Sequence, residues 1–397
     1  MHPPGAATVL VRYGEIGLKG DRIRRRMEDQ LQENIRAILD DRGLPGTVER
    51  AHTRLYVHTE QVDAVTDAVA DAFGVVSASP TLRVEPTETA VCEALGETAC
   101  EQYDGRPYAV RVHRAGPRSA HPFTSTELER AGGDAVHEAA SARGIEPTVD
   151  LDEPGVTFSV ECRPENAYVF LERREGPGGL PVGTQEPLVA LVSGGIDSPV
   201  AAWQAMRRGA PVYPLYVDLG EYGGIDHRMR AIETVEGLGR YAPNFDCRLR
   251  VAPGGEGIGA VADVTGMYRM LVARRFMLAV AESVATDLDA VGIVTGESIG
   301  QKSSQTATNL RVTAAVTDLP VHRPLLSMDK TEITEQAKAI GSYEEATIDA
   351  GCQQLAPESP ATQPPLERVR AAEPDGLERL AQRAAAATTV ADADPSG

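Results

Sequence analysis

The stretch that decides the architecture of the C-terminal half is Leu188-Val-Ala-Leu-Val192, then Ser193-Gly194-Gly195-Ile196-Asp197-Ser198, then Pro199–Arg208. A continuous apolar run of this length reads as a strand buried on both faces. The hexapeptide after it reads as a glycine loop, and 199–208 as a helix. Glycines at 194 and 195 let backbone N–H groups approach an anion closely, and the helix behind the loop adds the positive end of its dipole. Ser193 and Ser198 can donate to phosphate oxygens, and Asp197 is placed to orient a magnesium ion or to hold the loop. No Gly-Lys-Ser/Thr follows, so this is not a Walker loop. The plainer alternative is a tight turn ending in an N-cap serine; the strand–loop–helix setting favours the anion loop.

Working outward, Val212–Val217 and Ala290–Thr295 read as further buried strands and Met267–Ala285 as a long helix. Strands alternating with helices predict a parallel α/β sheet over 187–365. After Pro365 the chain is Ala-rich and acidic, and 366–397 reads as one helix and a disordered tail. On the other side, 176–186 is rich in glycine and proline and reads as a linker. Upstream of it, Thr8–Tyr13, Arg22–Leu39 with Asp21 as N-cap, Arg54–His58, Val62–Phe73 and Val75–Glu85 alternate strand and helix. On the apolar stripe of 22–39 lie Ile23, Met27, Leu31, Ile35 and Ile38. That order suggests a small α+β sandwich of ferredoxin-like type over 1–85. Residues 86–175 read as a second α+β unit, with helices at Glu88–Cys100 and Ser125–Ala142 and strands at Tyr108–Arg114, Val156–Cys162 and Tyr168–Arg173.

The 397 residues suit two or three domains. The net charge of −19 runs against a nucleic-acid binder, and composition alone favours an acidic enzyme that never meets RNA. Yet the only lysines are Lys19, Lys302, Lys330 and Lys338. Abundant Asp and Glu with so little Lys resembles adaptation to high salt, where a solvated acidic surface maintains solubility. No apolar run approaches the roughly 20 residues that span a bilayer, and the N-terminus carries no secretory pattern. A cytoplasmic protein with no membrane partner is expected. Five cysteines without a CxxC pair argue against a disulfide scaffold or a closed zinc site, and no protein metal-ligand set is assigned.

The loop at 193–198 resembles the pyrophosphatase loop (PP-loop) of adenylating enzymes, which split ATP into AMP and pyrophosphate and pass the AMP to a substrate oxygen. Several classes share it, so the loop implies ATP without naming the substrate. The rest of the chain resembles the tRNA 4-thiouridine synthetase (ThiI) family along almost its whole length. Leu10-Val-Arg-Tyr-Gly-Glu-Ile-Gly-Leu-Lys-Gly20 is similar to that family's opening motif, and Phe73-Gly-Val-Val-Ser-Ala-Ser-Pro80 to the end of its ferredoxin-like domain. Pro122-Phe-Thr-Ser-Thr-Glu-Leu128 and Gly176-Pro-Gly-Gly-Leu-Pro-Val-Gly183 are similar to its RNA-binding THUMP domain. Thr295-Gly-Glu-Ser-Ile-Gly-Gln301, Ser304-Gln-Thr306 and Arg323-Pro-Leu-Leu-Ser-Met-Asp-Lys330 are similar to its catalytic-domain motifs.

By position, the resemblance implies that Leu191, Val192, Tyr216, Arg274, Gly296 and Gln305 bind ATP, and that Lys330 acts at the reacting phosphates. A lysine there is chemically sensible, because adenylation builds charge on the α-phosphate and on leaving pyrophosphate. The competing reading of Lys330 is a solvated charge at a helix start. Cys352, in Asp349-Ala-Gly-Cys-Gln-Gln-Leu355, matches the family's catalytic-domain cysteine, and its loop setting suits an accessible thiol. Cys162 and Cys247 alternate with apolar residues on expected strands and read as core, and Cys92 and Cys100 read as structural. The chain lacks both the rhodanese domain of many bacterial members and the CxxC pair of some archaeal ones. The sulfur donor is therefore open among a cysteine desulfurase persulfide, sulfide and another carrier, and a role in thiazole synthesis is not implied.

The expected enzyme takes ATP and Mg²⁺, binds tRNA through its two N-terminal domains, adenylates the uridine at position 8 and thiolates it; a homodimer is the family's expectation. Arg22, Arg24, Arg25 and Arg26, with Arg111, Arg114 and Arg118, are candidates for phosphate contacts, against a solvated face balanced by acids. Two rivals stand: another PP-loop enzyme acting on a different base or a metabolite, and a non-catalytic tRNA-binding protein.

Overall fold

The computed structural model describes the chain apart from residues 52, 224, 265, 303, 344–356, 358 and 392–397, with the backbone alone at 118, 225, 226 and 264. It divides into two compact units, Met1–Leu180 and Pro181–Gly397.

In the first unit, strands β1 (Thr8–Tyr13), β2 (Thr47–Ala51), β3 (Arg54–His58), β4 (Val75–Val84), β5 (Tyr108–Arg114), β6 (Val156–Cys162) and β7 (Ala167–Phe170) form one sheet in the order β2-β3-β1-β4-β7-β6-β5, and β8 (Arg174–Glu175) also pairs with β4. The ten-residue β4 is the join: residues from Val75 to Thr81 pair with β1, and Leu82–Val84 pair with β7. Helices α1 (Asp21–Asp41) and α2 (Val62–Ala70) close a core with β1, β3 and β4; α3 (Glu88–Gln102) and α4 (Ser125–Ala142) close another with β5, β6 and β7. So the two α+β halves expected from the sequence each have their own core but share a sheet, and a small buried cluster of Leu10, Tyr56, Tyr168 and Phe170 bridges them.

Three local details differ from the sequence reading. Gly20, not Asp21, is the N-cap of α1, and Asp21 opens the helix. Ile23 is 51% exposed, because the first turn runs past the core that Met27, Leu31, Ile35 and Ile38 enter. The glycine stretch expected as a linker is pinned by backbone: Gly176 N–H donates to Val76 O, Gly178 N–H to Val75 O, and Gly74 N–H to Gly178 O.

The second unit contains β9 (Leu188–Leu191), α5 (Asp197–Arg207), β10 (Val212–Asp218), α6 (Ile225–Gly239), β11 (Arg250–Pro253), α7 (Gly255–Val264), α8 (Arg269–Asp287), β12 (Ile293–Val294), α9 (Ala307–Ala314), β13 (Val321–His322), α10 (Lys330–Ala339), α11 (Leu366–Arg370), α12 (Leu377–Ala386) and β14 (Thr389–Val390). The sheet order is β13-β12-β9-β10-β11-β14, parallel except for β14. The chain starts in the middle at β9, builds outward to β11, then crosses to β12 on the opposite side. The order reverses between β9 and β12, and in such sheets the crevice beyond the strand C-termini at that point is where ligands bind.

Where one helix and a tail are expected after 365, the structure forms two helices and a strand. Val369, Leu377, Ala381, Ala384 and Ala385 are buried in the core built on α8, and β14 pairs antiparallel with β11. Small alanines at helical spacing let α12 approach α8 closely, so this segment belongs to the core despite its polar composition. Cys247 is buried as expected, but in a loop; the strand begins at Arg250.

Candidate active site

Two helix N-termini converge in the second unit. Helix α5 begins at Asp197, so Asp197 and Ser198 occupy its first turn rather than the loop. Its N-cap, Ile196, supplies no side-chain oxygen to the free N–H groups of that turn. Ser198 instead turns back: Ser193 N–H donates to Ser198 Oγ at 2.9 Å, and the two hydroxyls lie 3.3 Å apart. This closes the loop into a ring with Gly194 and Gly195 at its crest. A side chain at Gly194 would press on His227 and Arg230 of α6, whereas Gly195 faces open space apart from Ser193.

Helix α10 begins at Lys330 behind a capping box. Asp329 accepts from Thr331 N–H and Glu332 N–H, while Glu332 accepts from Asp329 N–H. Ser298 Oγ–H donates to Met328 O at 2.9 Å, tying the helix start to the segment after β12. The Lys330 ammonium then reaches Asp197 Oδ1 at 2.9 Å. Lys330 is therefore a helix-start charge, as the plainer reading had it, but one aimed at the first turn of α5. Its side chain is 54% exposed, open to an incoming anion.

Gly296 closes the wall between them. A Cβ there would sit 2.7 Å from the Asp197 carbonyl carbon and 2.8 Å from Ser198 N, so only glycine lets the post-β12 segment lie against the start of α5. Just past β9, Val192 N–H donates to Leu215 O, and Leu215 pairs with Leu191. This sets Leu191, Val192 and Tyr216 together at the C-terminal ends of adjacent central strands. Val192 and Tyr216 are buried.

Arg274 of α8 donates to Ser304 O at 2.9 Å and lies 3.4 Å from Glu297 Oε1. The motif quoted around Gly296 thus holds a residue that the sequence did not single out. Glu297, 9% exposed, also accepts from Arg323 Nε at 2.9 Å and from the Thr295 hydroxyl at 3.1 Å. No periodicity or spacing marks it, because its partners come from α8 and from the segment after β13. Gln305 is buried, and its Oε1 has no hydrogen-bond partner among the described residues; Gln301 Oε1 shares that condition. Buried carbonyl oxygens left this way are open to a donor from water or a ligand.

Asp197, Lys330, Ser193, Gly194, Gly195, Ser198 and Gly296 thus meet at one place, and Leu191, Val192 and Tyr216 border it along the strand ends. Arg274 and Gln305 are placed by α8 and the 300–305 turn. Cys352 lies outside the described residues. Of the others, burial pushes the Cys162 thiol up to about 11 and the Cys247 thiol up to about 12, keeping both protonated and unreactive at neutral pH. Cys100 is exposed, so it is no core residue. Arg24 pairs with Asp21 at 2.7 Å, while Arg22, Arg25 and Arg26 are exposed. No helix among the described residues is long and apolar enough to cross a membrane.

A family model described as "Thiamine biosynthesis protein (ThiI)" matches residues 183–376, a ThiI ferredoxin-like domain matches 8–79, and a THUMP domain matches 85–172. The probable tRNA sulfurtransferase of Halobacterium salinarum is 53% identical over 388 residues, covering 98% of each chain. The tRNA sulfurtransferase of Thermoplasma acidophilum is 36% identical, over 86% of this chain and 69% of that one. Among solved structures, a 4-thiouridine synthetase–RNA complex with bound ATP superposes with a TM-score of 0.83 at 30% identity, covering 97% of this chain and 99% of that one. With ferredoxin-like, THUMP and PP-loop parts in this order and relatives matching nearly end to end, the chain belongs to the ThiI family of tRNA sulfurtransferases.

Proposed function

We propose that this chain is an ATP-dependent enzyme that adenylates O4 of the uridine at position 8 of tRNA and replaces it with sulfur, giving 4-thiouridine. The observation that carries this reading is the Lys330–Asp197 pair, held where the glycine loop, the start of α5 and Gly296 converge. Such a site favours a polyphosphate, with uncapped N–H groups on one side and an exposed ammonium on the other. The chain's likeness to an ATP-bound 4-thiouridine synthetase supports assigning ATP to it.

In this reading the loop from Ser193 to Ser198 holds the phosphates, with Leu191, Val192, Tyr216, Gly296, Arg274 and Gln305 around the nucleoside. The uridine O4 attacks the α-phosphorus and pyrophosphate leaves; Lys330 meets the charge that grows on the phosphoryl oxygens. A sulfur nucleophile then attacks C4, and AMP departs with the former O4. Mg²⁺, if carried in with ATP, needs few protein ligands, since phosphates and water fill most of its six positions; Asp197 is the carboxylate at hand, and the ion would neutralise phosphate charge. Sulfur arrives in one of two ways: as free sulfide, which attacks C4 directly, or as the terminal sulfur of a persulfide that Cys352 receives by exchange from a desulfurase or another persulfide carrier, in which case an external thiol cleaves the S–S bond to free the thiolated base. The ferredoxin-like and THUMP parts hold the tRNA.

The test is thiolation of unmodified tRNA in molar KCl with ATP, Mg²⁺, a desulfurase persulfide as donor and a thiol reductant, read by mass and near-ultraviolet absorbance, for wild type and Cys352→Ala. Product from wild type alone supports both the reaction and the carrier. Product from both moves Cys352 out of the mechanism. No product and no ATP cleavage contradicts the reading.

A further inference from the structure

The first unit contains a cavity of about 310 Å³ on the face of its sheet, lined by β1, β3, β5, β6 and β7. Arg12, Arg54, Arg111 and Arg173 line it, against only two acids, Glu129 and Glu161. In a chain of net charge −19 this concentration of arginine is against the trend.

Both acids are already engaged. Glu129 accepts from Val112 N–H at 3.0 Å. Glu161 accepts two hydrogen bonds from Arg163, at 3.0 and 2.6 Å, and lies 3.2 Å from Arg54 Nε and 3.5 Å from Arg12 Nε. Burial alone would raise the Glu161 carboxyl, but the arginines outweigh it and hold it below its usual range, so it stays ionised and fixes their positions. Positive charge remains beyond what Glu161 neutralises. Arg12 is 8% exposed; its Nη1 donates to Ser79 Oγ at 2.9 Å, while its Nη2 is buried with no partner among the described residues. The Phe170 ring lies beneath the guanidiniums of both Arg12 and Arg173, at 4.6 and 5.4 Å. Cation–π contact positions each guanidinium without using its N–H donors. A buried, oriented guanidinium with one amino group still unpaired is the geometry that donates to an oxygen of a phosphate.

We propose that this cavity is a receptor for a single backbone phosphodiester of the bound RNA, gripped by Arg12 and closed over by Arg54 and Arg173. This rests on the reading of the chain as a tRNA-modifying enzyme. It gives a chain with little lysine and an acidic surface a contact that survives high salt, because a desolvated arginine–phosphate pair is screened far less than a surface one.

The test uses the full chain and an unmodified tRNA transcript in molar KCl. Arg54→Ala and Arg173→Ala replace partly or largely exposed residues and preserve the fold, checked by thermal unfolding; Arg12→Lys retains the charge and loses the guanidinium. Each is expected to weaken tRNA binding about tenfold. A scan of single methylphosphonate linkages should find one position at which wild type weakens equally and Arg173→Ala weakens no further. Wild-type affinity in all three variants overturns the proposal. So does a defect that no single linkage reproduces, and so does inorganic phosphate protecting the free protein against heat through these arginines without competing with tRNA, which would make the cavity a free-anion site. Failure of wild type itself to bind tRNA would instead contradict the proposed function.

Discussion

The Lys330 ammonium donates to Asp197 Oδ1 across 2.9 Å, joining the first residues of two helices that lie 133 positions apart in the chain. The pair is too exposed to matter much for stability. Its consequence is placement, since each charge holds the other at the first turn of its helix, beside Gly296. Lys330→Met is therefore expected to leave thermal unfolding within about 1 °C of wild type, and to lower tRNA-dependent pyrophosphate release by about 10²–10³-fold, the usual loss when one donor to a developing phosphoryl charge is removed. A large drop in melting temperature with near-normal turnover would make the pair structural.

Gly296 offers a sharper structural test. The Cβ of Gly296→Ala would lie 2.7 Å from the Asp197 carbonyl carbon, and backbone cannot yield as a flexible side chain does. A cost of about 1–3 kcal/mol is expected from such overpacking, together with weaker ATP binding by calorimetry as the start of α5 shifts. Gly237→Ala, in α6 with nothing within 4 Å of its Cβ, should be neutral or stabilising. Equal behaviour of the two variants would remove the argument for a glycine wall.

Glu297 is the buried carboxylate between Arg274 and Arg323. Glu297→Gln leaves two arginines without their counter-charge, a loss of about 3 kcal/mol, or roughly 6–12 °C in melting temperature for a unit of this size. Because Arg274 is also released, the KM for ATP should rise. Differential scanning calorimetry and initial rates check the two effects separately.

Asp246 provides a pH test outside the site. Hydrogen bonds from Arg248 and the charge of Arg250 hold its carboxyl down to about 2. An unfolded aspartate titrates near 3.9, so its contribution to stability is fully present above that value and is lost as pH falls through 2. The stability difference between wild type and Asp246→Asn should be constant from pH 7 to about 5 and shrink towards pH 2. A difference that grows on acidification would contradict the sign.

How much of this was legible in the sequence follows from how each residue earns its position. The apolar runs Thr8–Tyr13 and Leu188–Leu191 declare themselves because these central strands are buried, the first along its whole length and the second at Val189 and Ala190. The edge strand Thr47–Ala51 does not, since only Val48 is buried. Residues 366–397 read as one helix and a disordered tail because alanine is weakly apolar, and the core role of α12 depends on how closely it meets α8. The glycine loop carries its chemistry in its own residues. Asp197 is legible in the loop and Lys330 through family resemblance, but their pairing is not, because the two lie 133 positions apart; Glu297 is not legible at all, because its meaning resides in two arginines contributed by distant elements.

Adenylation of a single uridine is read by AMP formation from α-labelled ATP on unmodified tRNA, compared with a transcript whose uridine 8 is replaced by cytidine. The prediction is AMP formation with the first transcript, abolished by Lys330→Met, and none above background with the second. Equal AMP formation on both transcripts, or on ATP alone, would contradict it.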